Sequence, residues 1–81
     1  MADILMAQAK RDFRNGLITG ADILKAPMSE VWVIKFRTKG PDKEGWLIDA
    51  KRHEARQFKT LDAAFAAVLE VGLKPEGLET L

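Results

Sequence analysis

The sequence predicts an α+β fold: two layers, an antiparallel meander of three to four strands, and an N-terminal and a C-terminal helix packed on one sheet face. Three observations lead there. Residues 31–38 alternate with a period of two, setting Trp32, Ile34 and Phe36 against Val33, Lys35 and Arg37. A second alternating run returns at 46–51 after a loop rich in glycine, proline and charge. An alanine-rich helical segment at 61–71 then lies between Thr60 and Gly72, residues suited to starting and stopping a helix.

Taken in order, residues 2–15 predict an amphipathic helix with Leu5, Met6, Ala9 and Phe13 on one side. Arg11 and Arg14 suit its C-terminal end, and Asn15-Gly16 ends it. Residues 17–26 predict a strand with a bend or bulge at Gly20, closed by Pro27. After the strand at 31–38, the segment Gly40-Pro41-Asp42-Lys43-Glu44-Gly45 predicts a hairpin loop. The return strand 46–51 sets Trp46, Ile48 and Ala50 on one side and Leu47, Asp49 and Lys51 on the other. Arg52-His53-Glu54 predicts a tight turn, and 55–59 a short fourth strand with Phe58 inward. In the last helix, Leu61, Phe65, Val68 and Leu69 form the stripe expected to lie on the sheet, with Leu73 as the contact after Gly72. Lys74-Pro75-Glu76-Gly77 predicts a loop, and 78–81 a short edge strand or a frayed end.

Eighty-one residues suffice for a single domain, 1–81, and 47% hydrophobic with 31% charged residues is the composition of a folded one. Thirteen Lys and Arg against twelve Asp and Glu leave a net charge of +1. Any basic surface must therefore arise by segregation of charge. The absence of cysteine excludes disulfides and thiolate metal sites. No apolar run reaches the roughly 20 residues of a membrane span, and the first residues lack the pattern of a secretion signal, so the expected location is cytoplasmic, with no membrane partner.

Catalysis is not expected. His53 is the only histidine and lies between Arg52 and Glu54 in a predicted turn, with no nucleophile beside it to activate. No cofactor and no metal are called for. The candidate functional surface is instead the open sheet face. Lys35, Arg37 and Lys51, joined by Lys59, are the candidate DNA-binding residues, because Arg and Lys on a sheet laid into the major groove read guanine and contact phosphate. Val31, Val33 and Leu47 on the same face, with Trp46, are the candidate protein-interaction residues. Both tryptophans are expected beneath the helix stripe; if one is exposed for stacking or anchoring, Trp46 beside the loop glycine is that one.

Two resemblances bear on this reading. Phe58-Lys59-Thr60 followed by Asp62-Ala63-Ala64 resembles the strand-to-helix junction of the sheet-and-helix DNA-binding domain at the N-terminus of phage-type integrases. That likeness implies DNA contacts from Lys35, Arg37 and Lys51, although the near-neutral charge departs from it. The longer run from Arg56 to Ala64, with Val71-Gly72-Leu73, is similar to small plasmid- or mobile-element-borne proteins of the partition-associated, ParC-like group. It implies an accessory role in plasmid maintenance. The order of elements is also similar to double-stranded RNA-binding domains, whose basic start of the last helix is missing at Thr60–Ala64. The expected function is thus that of a non-enzymatic accessory protein of a plasmid or mobile element, binding duplex DNA through its open sheet face. The alternative is a protein-interaction module, a homodimer or an adaptor for a partition or conjugation component, without nucleic acid.

Overall fold

A computed structural model describes residues 2–40 and 43–73. Its elements run β1 (Ala2–Ile4), α1 (Met6–Arg14), β2 (Ile18–Lys25), β3 (Trp32–Thr38), β4 (Glu44–Asp49), β5 (Glu54–Ala55) and α2 (Leu61–Val71). The sheet order is β1-β4-β3-β2, with β5 pairing β4 off that path. Both helices pack on one face, so the fold is α+β in two layers. The predicted Pro41-Asp42 loop tip and everything proposed for 74–81 lie outside the described residues.

The antiparallel meander β2-β3-β4-β5 agrees with the expected one. Gly20 marks an irregularity, the β2–β3 register slipping between Ile18 and Gly20. The segment after β4 crosses from one strand to the next: Arg56 N donates to Leu47 O on β4 at 2.8 Å, and Phe58 exchanges two backbone hydrogen bonds with Trp32 on β3. The predicted fourth strand is therefore only Glu54–Ala55 plus one bridge, with Phe58 buried as expected.

Three expectations are corrected. The N-terminal helix starts at Met6, because Ala2–Ile4 pair in parallel with Gly45–Leu47 at the sheet edge. That parallel strand is three residues long and carries no pattern of its own; it forms only because β4 offers an edge, and Ile4 gains burial there. Second, α2 buries Ala64, Ala67, Val68 and Val71, leaving Leu61 and Leu69 exposed and Phe65 half-buried. The smaller residues let the helix approach the sheet closely, and close approach outweighs the larger hydrophobic stripe. Third, the alternation in β4 is inverted. Phe36 faces the core, and its register partner is Gly45, so β4 turns Gly45 and Leu47 inward and Trp46 outward. Leu47 is 0% exposed, in the centre of the core with Ile34, Phe36 and Val68.

The caps behave as their chemistry requires. Thr60 Oγ1 accepts from Ala63 N at 3.1 Å, satisfying one free donor at the start of α2. Gly72 ends it at φ 125°, and a Cβ there would lie 2.8 Å from the Phe13 ring of α1. Leu73 follows, buried against the core.

Candidate interaction surface

The face turned away from the helices is built by cross-strand registration. Asp22, Lys35, Trp46 and Asp3 stand in one row across β2, β3, β4 and β1. Gly20, Arg37 and Glu44 form the next row, and Leu24 stands beside Val33. Residues directly opposite share a face, so these rows define the open surface.

Its charges are largely spoken for. Lys35 Nζ lies 3.4 Å from Glu44 Oε1 and Arg37 Nη2 lies 3.8 Å from Asp22 Oδ1, each pair running diagonally to a neighbouring strand. The glycine at position 20 leaves room for the Arg37 guanidinium, which occupies the space a Cβ would take. The Lys35 ammonium also sits 5.9 Å from the centroid of the Trp46 indole. Of the candidate DNA-binding residues, then, Lys35 and Arg37 share the open face but are ion-paired. Lys51 is not on that face as a strand residue: β4 ends at Asp49, and Lys51 is exposed in the turn 50–53. The strand stops there because Asp49 Oδ1 accepts from Lys51 N at 2.8 Å, a local bond that competes with the ladder. Lys59 is exposed between the Phe58 bridge and α2.

The candidate protein-interaction residues also divide. Leu47 is withdrawn into the core by the register of β4, as described above. Val33 and half-buried Trp46 line an apolar hollow of about 580 Å³ with Leu24, Ala26, Pro27 and Ile48. Asp3, Lys25 and Gln57 add polar groups to its wall. Val31 precedes β3, accepts at its carbonyl from Ala26 N at 2.9 Å, and lines a separate hollow with Arg52, Glu54 and Lys59. Trp46 is therefore on the open face, whereas Trp32 is half-buried and packed against the core cluster. Sequence reasoning missed Leu24 and Ile48 as hollow residues, and Asp22 and Glu44 as ion-pair partners. The alternation Gly20-Asp22-Leu24 opposite Arg37-Lys35-Val33 was the available signal for β2.

The Asp49 carboxyl is held below its ordinary value, chiefly by the Lys51 backbone N–H, with further help from the Arg52 N–H and the nearby Arg52 and Arg56 charges; desolvation opposes them. Among the described residues no cluster of three or more metal-ligating side chains occurs, and no helix is long and apolar enough to cross a membrane. Neither a family model, nor a curated protein, nor a solved structure matches the chain.

Proposed function

We propose that this chain is a non-enzymatic protein-interaction module whose open sheet face docks a second copy of itself. The observation that carries the reading is the outward Trp46 in an apolar hollow with Leu24, Val33 and Ile48, on a face that neither described helix covers. A large aromatic beside aliphatic side chains is the composition of an interface anchor. The second copy is favoured by charge. Asp3, Asp22 and Glu44 stand with Lys25, Lys35 and Arg37 on or beside this face, so it is electrically balanced. An isologous interface sets a patch against itself, and a balanced patch does so without repulsion.

The same balance weakens the face as a DNA surface, since Lys35 and Arg37 would have to leave Glu44 and Asp22 to reach phosphate. His53 is exposed at the 50–53 turn and is not among the residues of the hollow. The setting, an accessory role on a plasmid or other mobile element, rests on the resemblance of Arg56–Ala64 and Val71–Leu73 alone.

Sedimentation equilibrium tests the proposal. The wild-type chain is expected to dimerise, and Trp46→Glu to sediment as a folded monomer. A wild-type monomer up to millimolar concentration, or a dimer unaffected by Trp46→Glu, overturns it.

A further inference from the structure

Four basic side chains without an acid stand around the β4–β5 hairpin, separate from the paired charges of the sheet face; Arg14, Lys39 and Lys43 are the other described bases outside any ion pair. Lys51, Arg52, Arg56 and Lys59 are all exposed, and none forms an ion pair with a described acid. Residues 49–59 hold these four bases against Asp49 and Glu54, leaving nine bases against ten acids in the remainder of the chain. The β4–β5 hairpin and the strand exit beside it thus carry a local excess of two positive charges.

The hairpin is built to hold those cations out. Ile48 pairs with Ala55 and Asp49 with Glu54, and His53 N donates to Asp49 O at 2.8 Å to close the turn. His53 adopts a positive φ of 56°, and the Asp49 carboxylate accepts from the Lys51 backbone N–H, with the Arg52 and Arg56 charges near it but in no ion-pair contact. The Arg56 guanidinium lies 5.1 Å from the centroid of the Phe58 ring, which steadies it without cancelling its charge. The four cations divide between two flanks. Lys51 and Arg56 line one hollow beside the hairpin, Arg52 and Lys59 line another, and Asp49 belongs to both.

From this arrangement we infer that the tip of the β4–β5 hairpin enters the major groove of duplex DNA, with its two pairs of cations on the phosphates of the two groove walls. The major groove admits a two-stranded β-ribbon, and its walls are two lines of negative charge. The tip, Ala50-Lys51-Arg52-His53-Glu54, carries no apolar side chain larger than alanine. The tip itself therefore offers no apolar anchor, although Leu5, Met6 and Ile48 line the hollow that Lys51 and Arg56 flank; a phosphate backbone needs only charge. This inference uses residues separate from the docking hollow and does not depend on dimerisation.

Fluorescence anisotropy with a fluorescein-labelled, mixed-sequence duplex tests it. Four phosphate contacts predict a loss of affinity on the order of a hundredfold between about 50 mM and about 200 mM salt. Lys51→Gln/Arg52→Gln, exposed in a turn and harmless to the core, is expected to lower that salt slope by about 2. Lys35→Gln/Arg37→Gln is expected to keep the slope, which separates this surface from the sheet face. Absence of binding at low salt, an unchanged slope in the tip variant, or loss confined to the sheet-face variant overturns the inference. Displacement by polyglutamate as effective as by unlabelled duplex also overturns it, marking the tip as a surface for acidic proteins.

Discussion

Lys35 and Trp46 are register partners on β3 and β4, and the ammonium of one lies 5.9 Å from the ring centroid of the other. The lysine thus holds both the indole and, at 3.4 Å, the carboxylate of Glu44. A cation over an aromatic face in a partly exposed site contributes about 0.5–1 kcal/mol. A double-mutant cycle between Lys35→Met and Trp46→Leu, read by urea unfolding of the monomer at low protein concentration, is expected to show coupling of about that size. Additive effects would mean that the two side chains are neighbours without attraction.

The inward register of β4 makes Leu47 and Val33 unequal. Leu47→Ala removes a side chain that is 0% exposed and is expected to cost about 2–5 kcal/mol. Val33→Ala, at a side chain 9% exposed beneath the hollow and outside the core cluster, removes fewer atoms and is expected to cost less in the monomer. Denaturant midpoints of the two variants check this. A silent Leu47→Ala would place Leu47 on the open face.

Gly72 combines a positive φ of 125° with the Phe13 ring 2.8 Å from where a Cβ would stand. Gly72→Ala meets both backbone strain and a clash against α1, at an expected cost of about 1–3 kcal/mol. Phe13→Leu in the same background relieves the clash but not the strain. Thermal unfolding of the single and double variants separates the two contributions, and a Gly72→Ala protein as stable as the parent would refute both.

Asp49 couples the hairpin to pH. Its carboxyl is held below the ordinary value in the folded chain, so its contribution is present above the unfolded aspartate's value and is lost as pH falls through the folded one. Protection of the amides of residues 50–53, corrected for the intrinsic pH dependence of exchange, is expected to fall in that acidic window. In Asp49→Ala protection is expected to be low already at neutral pH, with no further step in the acid range. Protection in that turn that stays constant through the acidic range would remove the carboxylate from the account.

The dividing line between sequence and tertiary structure falls at particular residues. Alternation at 31–38 located β3 and its two faces, and Thr60 and Gly72 framed α2, because period and cap chemistry are local. By sequence both tryptophans are expected beneath the helices, but only Trp32 packs against the core cluster, and the register of β4 turns Trp46 to the open face. The faces of β4 were undetermined by pattern, since Trp46, Leu47 and Ile48 are consecutive and all apolar. Only pairing of Gly45 with Phe36 sends Leu47 inward. Likewise, β1 exists only beside β4, and α2 settles on Ala64 and Ala67 only because the sheet below rewards close approach. The charges follow the same division. Composition determined a chain near neutrality, but which cations are neutralised is a matter of diagonal distances between strands. Register gave Lys35 and Arg37 acids to pair with and left Lys51, Arg52, Arg56 and Lys59 without them, because ion pairing falls within a few ångströms and only the assembled sheet sets those distances.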